Sequence, residues 1–241
     1  MVDRVLDRLP SKPDPIRLTR YPVEPLVAGL APRSYTWSVA FTLDQGSEGA
    51  CVGHGVTQEA VARPVVVDFR EHLTPAWAVK TRQAQMAGQS AQQVAQVFAF
   101  EIYHQAQRVD EWPGENYEGT SVAAGAKCSK DGLLWSEYRW TTDVDDFAVA
   151  VSRKGPGVIG IDWWSGMFNP DSAGYLNVTG RVAGGHCILV NGFSLKRDAF
   201  HVHNSWGAGW GINGGAWIRR TALRRLVDDG GELLLPVYRL R

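Results

Sequence analysis

The apolar residues of the chain keep one rhythm up to about residue 154 and another beyond it. Val52, Val56 and Ala60 recur every fourth position, which places them on one face of a helix. A helix is therefore predicted from Cys51 to Arg63, ending where Pro64 disfavours helical backbone in the residue before it. Thr74-Pro75, a capping residue followed by a proline that needs no donor, predicts the start of a second. A third is expected from Thr120 or Ser121 to just before Gly132, and a fourth from about Asp145 to Lys154, with Asp143 and Asp145 near its positive end. Residues 85–118 give the weakest pattern. After Gly155 the apolar residues gather into short β-prone runs, Val158–Trp163, Cys187–Val190, Phe200–His203 and Ala216–Ile218, with Gly, Asn and Asp between them.

Helices first and strands second predict an α+β fold in two halves, not an alternating parallel sheet, with a site expected in the cleft between them. The expected organisation is an extended N-terminal arm over 1–35, a mainly helical half over 36–154 and a β-rich half over 155–241. Pro10, Pro13, Pro15, Pro22, Pro25 and Pro32 interrupt helix in the arm. Its spaced apolar residues (Ile16, Leu18, Tyr21, Val23, Leu26) suggest that it lies on a surface of the protein.

Composition narrows the function classes. The chain has 241 residues, 44% hydrophobic and 21% charged, ordinary for a globular protein. Lys plus Arg and Asp plus Glu each total 25, so charge gives no reason to expect nucleic acid or an anionic membrane as a partner. No apolar run approaches the ~18 residues that span a bilayer, and the charged start Met1-Val-Asp-Arg-Val-Leu-Asp-Arg8 lacks the apolar centre of a signal peptide. Three widely spaced cysteines, Cys51, Cys128 and Cys187, make no disulfide framework; a reducing, cytoplasmic compartment is expected. His201 and His203 alternate on one strand face, but two histidines without a third ligand are weak evidence for a metal. The ten tryptophans are read mostly as core, and Arg219, Arg220, Arg224 and Arg225 as a solvated helix face.

Three segments concentrate nucleophile-type residues among glycines and tryptophans. Asp44-Gln-Gly-Ser-Glu-Gly-Ala-Cys51-Val-Gly-His54 puts a cysteine at a helix N-terminus after a glycine-rich loop, where the positive end of the helix dipole favours thiolate. Ala183-Gly-Gly-His186-Cys-Ile-Leu-Val-Asn-Gly192 puts a histidine at the start of a strand, with glycines leaving room beside it. His203-Asn204-Ser-Trp206-Gly-Ala-Gly-Trp210-Gly211 follows.

Together these resemble the papain-like cysteine peptidases, which carry Gln-Gly-x-x-Gly-x-Cys, a Gly-x-His strand and Asn-Ser-Trp-Gly-x-x-Trp-Gly in that order. The resemblance runs from about Trp37 to Trp217, and His186 follows Cys51 by 135 residues, within the usual range. It implies a two-lobed fold with the site in the cleft, and hydrolysis of peptide or protein substrates through an acyl-thioester, with no metal or organic cofactor. It assigns Cys51 as nucleophile, His186 as general base and acid, Asn204 as the group that orients the imidazole, and Gln45 as oxyanion donor. It assigns Trp206 the shielding of the Asn–His hydrogen bond. Gly119, after Glu118, corresponds to a glycine whose backbone binds extended substrate. Gly160 lines the pocket for the second side chain before the scissile bond, and Cys187 packs beside that pocket. Against plant and animal members, Glu48 replaces a disulfide cysteine and Val52 a tryptophan, His54 is unusual, and the arm is shorter than a full pro-segment; these traits are similar to those of cytoplasmic, bacterial or phage members. Two other readings keep the same residues: a silent peptide-binding protein, and acyl transfer to an amine. For the arm, three roles stay open: an inhibitory segment along the cleft, a clamp between the halves, or a passive tail.

Overall fold

A computed structural model describes residues 4–11, 22–72, 74–112, 118–132 and 134–237. The first half is built on four helices: α2 (Cys51–Ala60), α3 (Val79–Met86), α4 (Ala91–Val109) and α5 (Val122–Asp131). Val52, Val56 and Ala60 of α2 are buried with Phe98, Ala99 and Ile102 of α4 and with Val122 and Ala124 of α5. Glycines set how closely these helices cross. A Cβ on Gly53 would stand 2.2 Å from the Ala99 carbonyl oxygen, and one on Gly125 would stand 2.5 Å from Val52 Cγ1. Neither neighbour gives way cheaply in a close-packed interior.

The second half is an antiparallel sheet of seven strands among the described residues, in the order β4-β9-β5-β6-β7-β8, with β2 also on β6. These are β2 (Tyr35–Thr36), β4 (Glu137–Thr141), β5 (Gly157–Trp164), β6 (Val182–Ser194), β7 (Ala199–His203), β8 (Gly215–Arg219) and β9 (Glu232–Val237). Helices α6 (Val144–Arg153) and α7 (Arg220–Asp228) cover it: Phe147, Ala148 and Val151 share a core with Ile159, Ile188, Phe193, Phe200, Leu223 and Leu226. So β4 and α6, which sequence placed in the helical half, belong structurally to the sheet; β4 supplies a ladder partner to β9, and α6 buries its apolar stripe on the sheet face. The two halves meet where α2 lies on β6, close enough that a Cβ on Gly55 would stand 3.0 Å from Cys187 Sγ.

Several local expectations need correction. Helix α2 ends at Ala60, not Arg63, because the chain turns to bond elsewhere: Ala40 N–H donates to the Val61 carbonyl and Arg63 N–H to that of Ser38. Helix α3 starts at Val79 rather than at Thr74-Pro75, after a turn closed by Ala78 N–H on the Pro75 carbonyl. The arm is not extended throughout. Glu24–Val27 forms a single helical turn, α1, with Pro25 in its first turn, where no donor is required. Val23 and Val27 bury it against Val149, Ala150 and Leu235. Ile16, Leu18 and Tyr21 lie outside the described residues. The arginine face of α7 is half-exposed and paired, Arg220 with Asp145 at 3.0 Å and Asp198 at 2.7 Å, and Arg224 with Asp145 at 2.8 Å.

Residues 4–11 cross the junction of the halves. Strand β1 (Arg8–Leu9) pairs in parallel with β3 (Thr120–Ser121), just before α5, and Asp7 bridges to Gly185 on β6. Among the described residues, no helix is long and apolar enough to cross a membrane, and no cluster of three or more metal-ligating side chains occurs.

Candidate active site

Cys51 is the first residue of α2, and the loop before it is tied to the end of β7. Gln45 N–H donates to the Ser205 carbonyl at 2.9 Å, and Ser205 Oγ donates to Gln45 Oε1 at 2.8 Å. With its oxygen held, the Gln45 amide presents Nε2 to the Glu48 carbonyl at 2.9 Å and to the Val5 carbonyl of the arm at 3.2 Å.

His186 lies on β6 opposite Ile161. One ring nitrogen, Nε2, is 2.8 Å from Asn204 Oδ1, which also accepts Ser205 N–H at 2.8 Å. An amide oxygen only accepts, so Nε2 carries the proton and Nδ1 is the basic nitrogen. Nδ1 is buried and has no hydrogen-bond partner among the described residues. Aromatic rings wall the pair: Trp163 meets the imidazole edge-on at 4.8 Å, Trp206 lies at 5.0 Å, and Phe168 stacks on Trp206 at 5.6 Å. Trp163 is fully buried in the core of the sheet.

The backbone at Cys187 and Val52 draws the Cys51 thiol down, but burial outweighs it. Cys51, His186, Asn204 and Gln45 are all fully buried. This overturns the expected thiolate. Burial pushes the Cys51 thiol up to about 11 and holds the His186 imidazole down at about 4, so both are neutral near pH 7. The dipole of α2 acts on the sulfur, but burial excludes the water that would solvate its charge.

The other expected residues sort by what they touch. Trp206 covers the His186 ring. Cys187 is buried, its thiol pushed well above the usual range, and it packs on α2 at Gly55. Gly119 and Gly160 face the arm: a Cβ on Gly119 (φ +89°) would lie 1.7 Å from the Asp7 carbonyl oxygen, and one on Gly160 would lie 3.2 Å from Arg8 Cδ. Glu48 points away from Cys51, to His104 at 3.3 Å. His54 is packed, with Nδ1 2.9 Å from the Ala50 carbonyl and Nε2 2.8 Å from Gln96. His201 bonds Asn191 at 2.7 Å and His203 bonds Thr42 at 3.0 Å.

Sequence reasoning missed the arm's own contacts. Arg4 pairs with Asp44 and donates to the carbonyls of Gly46 at 3.1 Å and Trp206 at 3.0 Å. Arg8 lies between Asp162 and Glu232, each at 3.4 Å. The available signal was Gly184-Gly185: Cβ atoms there would lie 2.4 Å from the Leu6 and 2.0 Å from the Arg8 carbonyl oxygens, a slot shaped for another backbone.

A family model described as papain family cysteine protease matches residues 33–225. Among curated proteins, gamete and mating-type specific protein A of Dictyostelium discoideum is 31% identical over 110 residues, covering 46% of this chain and 24% of that protein. Cathepsin B-like protease 1 of Arabidopsis thaliana is 28% identical over 105 residues, covering 39% of this chain and 28% of that protein. The chain thus aligns with about a quarter of the length of these relatives. Among solved structures, xylellain, a cysteine protease from Xylella fastidiosa, shares the fold over 100% of both chains with a TM-score of 0.65, at 15% identity. The family match spans the Cys51 helix, the His186 strand and the Asn204 turn alike, and with that coverage the chain belongs to the papain family of cysteine proteases.

Proposed function

We propose that this chain is a thiol peptidase that hydrolyses peptide bonds of peptide or protein substrates, caught here with residues 4–11 lying in its cleft. The observation that carries the reading is the His186–Asn204 bond of 2.8 Å under Trp206, which leaves Nδ1 basic, and without a partner among the described residues, on the strand that packs against the Cys51 helix.

In this reading the arm lifts first. The Cys51 proton then passes to His186 Nδ1, and the sulfur attacks the carbonyl carbon of the substrate. The oxyanion takes the place of the Val5 carbonyl on Gln45 Nε2, together with the Cys51 N–H. The tetrahedral adduct collapses, the C–N bond breaks, and His186 protonates the departing amine. Water, deprotonated by His186, next attacks the thioester; the acid is released and Cys51 regains its proton. Asn204 is a positioning residue that fixes the tautomer, and Trp206 keeps water from its bond to His186. Gly119 and Gly185 supply the slot for extended substrate. No metal or organic cofactor has a part in these steps. A reducing, cytoplasmic setting suits Cys51, Cys128 and Cys187, all free thiols.

The arm is read as an inhibitory segment because it supplies a carbonyl where the reacting one belongs and covers the nucleophile. The test is cleavage of a diverse peptide library under reducing conditions by the full chain, its Arg8→Ala variant and its Cys51→Ala variant. Cleavage by the first two, faster in the second and absent in the third, is expected. Cleavage that survives Cys51→Ala refutes the reading.

A further inference from the structure

Gln96 and His54 take no part in the peptidase chemistry, yet their hydrogen bonds end on the loop that carries it. That loop, residues 44–50, presents Gln45 and leads into the Cys51 N–H, the two oxyanion donors of the proposed reading. It contains two glycines, Gly46 (φ +62°) and Gly49, and no disulfide ties it, since all three cysteines are free. Gln96, within α4, pairs with Asp44 as a neighbouring strand would. Its Oε1 accepts Asp44 N–H at 3.0 Å, and its Nε2 donates to the Asp44 carbonyl at 2.8 Å. The second Nε2 hydrogen goes to His54 Nε2 at 2.8 Å. An amide nitrogen only donates, so His54 Nε2 accepts and the ring proton sits on Nδ1, which donates to the Ala50 carbonyl at 2.9 Å. Every polar atom of the two side chains is thereby used, in one order. Burial holds the imidazole down at about 4, which keeps it the neutral acceptor that this order needs. The ring is fully buried and meets Phe100 edge-on at 4.7 Å.

We infer that Gln96 and His54 are positioning residues for the oxyanion donors. They form a brace, Asp44–Gln96–His54–Ala50, that joins the residue before Gln45 to the residue before Cys51 and fixes the spacing between the two donors. The inference rests on the peptidase reading. Ser205 holds the loop to the sheet half through the Gln45 N–H, and the brace holds it to α4. Donors aimed at a developing charge act only when they are already in place. A misplacement of about 1 Å costs on the order of 10²-fold in rate. In this role Gln96 and His54 act through Gln45 and the Cys51 N–H, not on the substrate.

The test is steady-state hydrolysis, under reducing conditions, of the peptide that the full chain cleaves fastest in a diverse library. The proteins are the full chain, Gln96→Met, His54→Phe, Gln45→Ala and the double variant Gln96→Met/Gln45→Ala, each checked for folding by circular dichroism. Gln92→Met is the control: it removes a bond from the same helix to the Thr42 carbonyl at 3.1 Å, outside the loop. Gln96→Met and His54→Phe should each lower kcat by about 10- to 100-fold, up to the cost of an ~1 Å misplacement, with KM little changed and the control at the wild-type rate. Either single variant carries the inference should the other fail to fold. In the Gln45→Ala background Gln96→Met should cost much less than it does alone, because the donor it positions is gone. Costs that add to within about twofold, a wild-type kcat in a folded Gln96→Met or His54→Phe, or an equal loss in Gln92→Met overturns the inference and leaves the peptidase reading standing. A folded wild type that cleaves nothing overturns the peptidase reading and this inference with it.

Discussion

Removing the Arg8 side chain should unlock the cleft. In the closed form the Cys51 sulfur is fully covered, so a thiol reagent reaches it only when residues 4–11 lift. They are held by the pairs Arg8↔Thr120 and Leu9↔Ser121, by the Asp7–Gly185 bridge, by the Val5 carbonyl on Gln45, and by Arg4 and Arg8. The Arg8 contacts, at 3.4 Å, are long for charged hydrogen bonds, and Asp162 is 45% exposed, so its share is discounted for screening. What remains is worth about 1–2 kcal/mol, which multiplies the opening constant by about 5–30. Once the arm is up, the thiol returns from about 11 toward its ordinary value, a gain in thiolate common to both proteins. The ratio of their labelling rates therefore isolates the anchor.

The assay is iodoacetamide labelling at pH 7, read peptide by peptide, with the buried Cys128 and Cys187 as internal references. Arg8→Ala should label Cys51 about 5- to 30-fold faster than wild type, with Cys128 and Cys187 unchanged. Salt should speed the wild type more than the variant, because it weakens the anchor that only the wild type has. A Cys51 ratio within about twofold of unity, against the 5-fold minimum, refutes the reasoning; so does a parallel rise at Cys128, which would mean general loosening.

Burial holds His54, His186, His201 and His203 at about 4, whereas the unfolded chain takes up these protons near 6.5. Their share of stability is whole above 6.5 and is lost as pH falls toward 4, on the order of 1–2 kcal/mol per histidine by pH 5. The melting midpoint should drop between pH 7 and pH 5, and a midpoint that holds or rises counts against neutral imidazoles. Asn204→Ala should cut kcat by about 10²-fold or more with a smaller change in KM and a shifted acidic limb of the pH profile. An unchanged pH profile would mean that Asn204 is structural only. Ser90→Ala removes the capping box of α4, in which Ser90 and Gln93 bond each other's backbone; it should cost about 1 kcal/mol and lower the melting midpoint by ~2–4 °C, and an unmoved midpoint would show that tertiary contacts alone hold the helix.

How legible each element was follows from where its determinants lie. Helices α5 and α6 were readable because their ends are local chemistry: Ser121 Oγ accepts from Ala124 N–H, Asp143 accepts from Asp145 and Asp146, and Gly132 follows the last turn of α5. Helix α4, 19 residues long, was missed although its capping box was in plain view. Gln92, Gln93 and Gln96 dilute the stripe of Val94, Phe98 and Ile102, which becomes evident only against α2 and α5. The end of α2 was misjudged because distant backbone groups, Ser38 and Ala40, claim it, and the start of α3 because a local turn on the Pro75 carbonyl precedes it. The site divides in the same way. Cys51, His186 and Asn204 sit in short local patterns, whereas Gln96 reaches Asp44 and His54 only by the packing of α4 on α2, and Arg8 reaches Gly160 only through the path of the arm.

The Cys51 thiol shows two such scales in opposition. A helix N-terminus favours the thiolate by about 0.3–1 kcal/mol, at most ~2. The rise from 9.0 to about 11 on burial corresponds to roughly 2–3 kcal/mol against it. Burial wins while the arm is down, and the dipole takes over once water enters. Under the proposed function the helix position of Cys51 thus bears on the open form, and residues 4–11 would decide how much of that form exists. Gly119, Gly184 and Gly185 admit a backbone where any side chain would collide, so under the proposed function arm and substrate would contend for one slot. A peptide able to displace the arm must replace what it gives up there: a carbonyl on Gln45 and a strand against β3.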